Sequence, residues 1–365
     1  MNKMTAPTPR PGILDIQPYQ GGRSKLDGVA HAAKLSSNEG ALGASPRARA
    51  AYAAVAGDLH RYPDGACEEL RAAIGKRYGL DPARIVCGCG SDELIGLLVH
   101  AYAGPGDEVL YSQYGFAMYP IYAKGNGAVP VKAPETDFTT DVDAVLASVT
   151  EKTRMAFIAN PNNPTGTLLP AAEMKRLRDG LRPDIVLVID AAYAEFVTRN
   201  DYSPGTELVD AGENTVMTRT FSKIYGLGGL RVGWCYAPAA IADVLNRTRS
   251  PFNVSAAAQA AAAAALADME FFDLCLAHNA MWRPWLTEQM RALGLGVTES
   301  NGNFILVHFP KGDTAAAQAA LAEEEVIVRP VAGYGLPDAL RISIGTEDEM
   351  KRVVSALAAY REAKG

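Results

Sequence analysis

Apolar and polar positions follow two successive rhythms along this chain. Between about Lys34 and Arg249, short apolar runs recur: RIVCGCG (84–90), DEVLYS (107–112), RMAFIAN (154–160), DIVLVID (184–190), NTVMTRT (214–220) and RVGWCYA (231–237). They alternate with stretches of helical periodicity at 91–103, 114–124, 170–180 and 238–247. Such alternation predicts an α/β fold: a large domain with a mainly parallel sheet and helices on both faces.

Beyond Arg249 the rhythm changes. A helical region over 255–292 precedes FILVHF (304–309), a helix near 313–325, VIVRP (326–330), LRISIG (340–345) and a last helix from Glu347 to about Ala363. This pattern predicts a smaller α+β C-terminal domain. The first thirty-odd residues carry Pro7, Pro9, Pro11, Gly12, Pro18, Gly21 and Gly22, and read as an arm. The expected division is an arm over 1–34, a large cofactor-binding domain over 35–250 and a small domain over 251–365.

Composition narrows the function classes. The chain has 365 residues, 48% of them hydrophobic and 21% charged, which fits a globular protein and not a disordered one. A net charge of −6 offers no general basic surface for nucleic acid or anionic membrane. The most apolar run, Ala256–Ala267, is alanine-rich, broken by Gln259 and too short to span a bilayer. It reads as a closely packed helix. No apolar signal segment stands at the start, and five scattered cysteines fit a reducing cytosol, so a cytoplasmic protein is expected. Cys87 and Cys89 have no companion ligands at zinc spacing, and no metal is expected.

In doubly wound sheets, ligands gather at the carboxyl ends of the strands. Four predicted strand ends carry unusual polar residues. Asp190 ends an apolar strand and is followed three residues later by Tyr193. Thr220, Ser222 and Lys223 precede Gly226, Gly228, Gly229 and Arg231. Gly88–Cys89–Gly90–Ser91–Asp92–Glu93 stands at a strand-to-helix junction. Asn160–Gly166 (NPNNPTG) forms a proline-pinned turn. Each alone has a bland reading as cap, turn or solvated charge. The junction at 88–93 is no dinucleotide fingerprint, because Glu93 stands where its third glycine belongs.

One chemistry uses all four. A lysine can form a Schiff base with an aldehyde cofactor. A carboxylate can hold a pyridine nitrogen protonated, a phenol and an amide can hydrogen-bond the ring oxygen, and hydroxyls, an arginine and a helix N-terminus can hold a phosphate. The cofactor so described is pyridoxal 5'-phosphate.

These runs, together with PY (18–19), SSNE (36–39), RYPDG (61–65), GSDE (90–93) and VRPVAGYGLPDALRISIGT (328–346), resemble the class I/II, fold-type I aminotransferases. Within that class the chain is similar to the histidinol-phosphate aminotransferase family over nearly its whole length. The resemblance implies transfer of an amino group between L-histidinol phosphate and 2-oxoglutarate, giving imidazole-acetol phosphate and L-glutamate. It makes Lys223 the cofactor-linking lysine, Asp190 the partner of the pyridine nitrogen, and Asn163 and Tyr193 the neighbours of the ring oxygen. Phe116 would stack on the ring. Gly90, Ser91, Asp92, Thr220, Ser222 and Arg231 would surround the phosphate, with Tyr62 reaching it from a second subunit of a homodimer. Arg341, assisted by Arg329, would bind the substrate's anionic group; Asn38 belongs to the same substrate side, and Tyr19 would close over it. Two departures from the family pattern lie near this mouth: Gly40–Ala41 replaces Asn-Pro, and Gly21–Gly22–Arg23 replaces Pro-Gly-Lys in the arm. An aromatic amino-acid aminotransferase and a pyridoxal-phosphate-dependent amino-acid-phosphate decarboxylase remain alternatives.

Overall fold

The computed structural model describes residues 7–29 and 31–364; residues 1–6 of the expected arm, Ala30 and Gly365 lie outside them. The six apolar runs of the first rhythm, with Val129–Ala133, which that rhythm did not mark, form a seven-stranded sheet: β1 (Ile85–Gly88), β2 (Glu108–Ser112), β3 (Val129–Ala133), β4 (Thr153–Ala159), β5 (Val186–Asp190), β6 (Thr215–Thr220) and β7 (Gly233–Tyr236). Their order is β1-β7-β6-β5-β4-β2-β3. The pairs β2/β3, β2/β4, β4/β5 and β5/β6 are parallel, and β7 alone runs antiparallel to β6 and β1.

The sheet is buried on both faces, which is why its central strands read as unbroken apolar runs. Period-two alternation sorts their side chains. Met155, Phe157, Val186 and Val188 pack into one core with Leu94, Leu98 and Tyr119. Ala156, Ile158, Leu187 and Ile189 pack into another with Met174 and Leu177. Asp190 continues the row of Val186 and Val188, so alternation aims its carboxylate toward the face carrying Tyr119 and the helix Gly90–Tyr102.

The second sheet is antiparallel, with order β8-β9-β11-β10 for strands β8 (Gly296–Thr298), β9 (Phe304–His308), β10 (Arg329–Pro330) and β11 (Ala339–Ser343). The helices Thr314–Glu323 and Glu347–Lys364, with the later part of Met269–Ala292, cover it. Ala33–Lys34 pairs in parallel with Val326–Ile327, and Ala33 and Leu35 sit in this smaller core.

The helical region expected over 255–292 is two helices, Ala256–Ala267 and Met269–Ala292. Asp268 separates them and caps the second by accepting from the Phe271 N–H, a task that suits a short carboxylate better than a helix interior does. The alanine helix packs against Pro46–Ala54 and Glu68–Tyr78, in the core that holds Leu70, Ile74, Phe221 and Trp234. Its small side chains permit that approach. No helix among the described residues is long and apolar enough to cross a membrane, and no described group of His, Cys, Asp and Glu is arranged to hold a metal.

Candidate active site

The strand ends meet. In the ladder, Ala159 of β4 stands beside Asp190 of β5, and Asp190 beside Thr218 of β6. Thr220 of β6 and Gly88 of β1 both pair with Gly233 of β7. Asp190 is 6% exposed, and burial pushes its carboxyl above the usual range. The Tyr119 hydroxyl donates to Oδ2 at 2.8 Å and the Thr218 hydroxyl to Oδ1 at 3.3 Å, which favours the ionised form.

Tyr193 follows on the turn after β5. Its ring is buried edge-on against Phe304, and its hydroxyl accepts from Asn38 Nδ2 at 3.0 Å. Asn38 holds a positive φ of 53° and is fixed from three directions. Its backbone N–H donates to Ser343 Oγ, the Ser343 hydroxyl donates back to Asn38 Oδ1, and Asn303 Nδ2 donates to its carbonyl.

Lys223 lies in the turn after β6. Its amine donates to the Ser37 carbonyl at 3.2 Å and stands 5.6 Å from the Tyr193 ring centroid. Burial, helped by the Arg341 and Arg231 charges and opposed by Glu39 and Asp190, lowers its pKa to about 7. A substantial neutral fraction near pH 7 supplies the free lone pair that attack on a carbonyl requires. Gly40 lies close against this turn: a Cβ there would sit 3.1 Å from the Lys223 carbonyl and 3.3 Å from Gly226 Cα. Gly226 itself has φ +67° and lies against the Gly43 carbonyl.

The anion cradle forms where the helix Gly90–Tyr102 begins. Gly90 has φ +80°, and a Cβ on it would come within 2.5 Å of the Arg231 guanidinium. A Cβ on Gly233 would strike the Ser91 N–H. Two missing side chains thus open the helix N-terminus to Arg231, and the unpaired N–H groups there suit an anion. Thr220 Oγ1 accepts from the Ser222 N–H at 3.0 Å, shaping the turn beside them. Asp92 accepts from the Tyr122 hydroxyl, and its Oδ1 is buried with no partner among the described residues.

Arg341, on β11, enters from the second sheet and is 5% exposed. It donates to Asn163 Oδ1 and, at 2.7 Å, to the Ser36 carbonyl. That leaves the Asn163 amide N–H groups as its donor end. Arg329 is nearer the surface, donates to the Gln20 carbonyl at 2.6 Å and stands over the Tyr19 ring at 6.0 Å. Phe116 meets Tyr119 edge-on at 5.8 Å. Tyr62 is 82% exposed and stacks on Phe252 at 4.7 Å.

The model of the aminotransferase class I and II family matches residues 30–357. The chain belongs to this family. Histidinol-phosphate aminotransferases of Rhodospirillum rubrum and Paramagnetospirillum magneticum are 60% and 61% identical to it, over 100% and 98% of this chain and 100% and 99% of theirs. The crystal structure of histidinol-phosphate aminotransferase from Sinorhizobium meliloti in complex with pyridoxal-5'-phosphate superposes with a TM-score of 0.85 at 29% identity, covering 91% of this chain and 92% of that one. In this aminotransferase, sequence reasoning missed Tyr119, Thr218, Asn303 and Ser343. Tyr119 lies within the helical stretch 114–124 and Thr218 within the apolar run 214–220, and neither stands at a strand end, where a polar residue is conspicuous.

Proposed function

We propose that this aminotransferase binds pyridoxal 5'-phosphate and exchanges the amino group of L-histidinol phosphate with 2-oxoglutarate, yielding imidazole-acetol phosphate and L-glutamate. The observation that carries the reading is a half-buried Lys223 of lowered pKa and a buried Asp190 at the same sheet edge as the Gly90–Arg231 cradle. The relatives named for this reaction support the choice of substrate.

The residues fit the cofactor. A near-neutral Lys223 would take the aldehyde, Asp190 would face the ring nitrogen, and Tyr193 and Asn163 offer an O–H and an N–H to the ring oxygen. Phe116 would lie on the ring. Gly90, Ser91, Asp92, Thr220, Ser222 and Arg231 would enclose the phosphate. The bound cofactor supplies an aldehyde and an electron-withdrawing ring that takes up charge from the substrate carbon.

The chain's own groups then divide the work. Arg341, with Arg329 at the mouth, orients the anionic end of the substrate through a forked guanidinium. Tyr19 and Asn38 complete that side, and the arm excludes water. The Lys223 amine, with a pKa about 7, takes a proton from the substrate carbon and gives it back on the cofactor side. Asp190 stabilises positive charge opposite it. An arginine fork matches carboxylate and phosphate alike, which lets one pocket serve glutamate and a phosphorylated amine in turn.

A second copy of the chain completes the site in this reading. The Tyr62 ring, open to solvent on this chain, supports its reaching a neighbour's phosphate. The five free cysteines support a reducing, cytoplasmic setting. Absorbance changes of the holoenzyme with a panel of amines test the substrate. Histidinol phosphate and glutamate should convert the bound cofactor, and unphosphorylated histidinol should do so far more slowly. Equal handling of histidinol and its phosphate would sink the assignment.

A further inference from the structure

Tyr119 belongs to none of the motifs that built the site. It is fully buried at the start of the helix Met118–Gly125, its ring stacked on Phe157 at 4.7 Å and met edge-on by Phe116 and Tyr111. An apolar ring suffices for that packing. The hydroxyl does something else: it donates to Asp190 Oδ2 at 2.8 Å. Thr218, from the neighbouring strand, donates to the other oxygen.

We propose that Tyr119 is a positioning residue whose hydroxyl fixes the Asp190 carboxylate and keeps it ionised without neutralising it, so that its whole charge faces the ring nitrogen of bound pyridoxal phosphate. The inference rests on the reading of Asp190 as the partner of that nitrogen.

The physical case has three steps. In a dry site, a proton shared between a ring nitrogen and a carboxylate can settle on either, and burial favours the uncharged arrangement. Donors on the carboxylate reverse that preference, because they are worth more to the ionised form. A lysine or arginine would also do so, but would cancel the charge that the nitrogen needs. A phenol does not, and burial followed by the nearby Asp190 charge raises the Tyr119 pKa far enough that it remains a donor throughout the working range. Asp92, Lys223, Tyr193 and Tyr202 are further ionisable groups that interact with the Asp190 charge, and none of these four donates a hydrogen bond to it.

The test uses holoenzyme carrying cofactor labelled with 15N in the ring. The wild type should show a protonated nitrogen, and Asp190→Asn an unprotonated one. Tyr119→Phe keeps the ring packing and should move the 15N resonance part of the way toward the unprotonated position. It should also lower kcat about tenfold, roughly the value of one hydrogen bond to a charged group, with a smaller change in KM. Thr218→Val should move the resonance in the same direction by less. In the Asp190→Asn background, Tyr119→Phe should have no further effect on either readout. If Tyr119→Phe lowers only the melting temperature and leaves the resonance and kcat in place, the hydroxyl is a packing feature and the proposal falls. If Asp190→Asn leaves the nitrogen protonated, the underlying reading of Asp190 fails instead, and the proposal with it.

Discussion

Arg341 donates a hydrogen bond to the side-chain oxygen of Asn163, joining β11 of the second sheet to the turn after β4 of the first. The guanidinium has a carbonyl as its other partner, and its Nε is buried with none among the described residues. A buried cation is thus held by neutral groups only, which is costly until an anion arrives. Arg341→Ala should weaken both histidinol phosphate and glutamate, lowering kcat/KM by roughly 10- to 150-fold at about 1.5–3 kcal/mol for a charge-assisted bond. Arg341→Lys should recover little, because an ammonium cannot reproduce the fork. Steady-state kinetics with both donors decide the matter; an effect on only one of them would mean the pocket is not shared.

The lowered pKa of Lys223, about 7, predicts how cofactor attachment depends on pH. An amine reacts in its neutral form, so attachment to stripped enzyme should speed up through about pH 7 and level off above it. An ordinary lysine would still be gaining rate near pH 10. The same shift has a stability sign: the folded amine gives up its proton more readily than the unfolded one, so its burial penalty is full below pH 7 and fades as the pH rises toward 10.5. Lys223→Met should therefore raise the melting temperature of stripped enzyme most on the acid side. Stopped-flow absorbance and melts across pH 6–10 check both, and borohydride should fix the cofactor to a peptide containing Lys223.

The strand ends were legible because apolar runs and Gly/Pro breaks mark them, and a carboxylate or lysine stands out there. Asp190, Lys223 and the Gly90 junction lie at the strand-end edge expected. The partners that hold these residues were not legible. Asn38 bonds Ser343 from 305 residues away, and nothing local in SSNE or RISIG signals that pairing. Tyr119 sits in an amphipathic stretch where any tyrosine passes for core, and only the folded sheet shows its hydroxyl on Asp190. The alanine run predicted a close-packed helix but not its partners, since alanine carries no directional chemistry to name them.

Tyr62 offers a test of shared sites. It is stacked on Phe252 and open to solvent. On the proposed homodimer, the Lys223→Ala and Tyr62→Ala enzymes should each be badly impaired. Mixed and allowed to exchange subunits, they should regain activity, because one of the two sites in a heterodimer then carries neither lesion. Demonstrated exchange without recovery would mean each site is built from one chain.

Arg219 and Glu195 form a buried ion pair, their side chains 6% and 3% exposed, with the guanidinium donating to Glu195 Oε1 at 2.7 Å and lying over the rings of Tyr78 and Trp234. The Tyr78 hydroxyl donates to the same oxygen. Arg219 directly precedes Thr220, and Glu195 follows Tyr193 by two residues, so the pair ties two parts of the site together from within the core. Removing one partner strands the other charge. Glu195→Ala should cost about 3–5 kcal/mol and visibly lower the melting temperature. Replacing both, as Arg219→Met with Glu195→Leu, should cost less than the two single changes added together, because no charge is left unpaired. If the single variants melt like the wild type, the pair contributes no stability. If the double variant is the sum of the singles, the two residues act independently and the proposed tie between the Tyr193 and Thr220 segments does not exist. Loss of bound cofactor in the single variants, measured by dialysis, would locate the tie at the site itself.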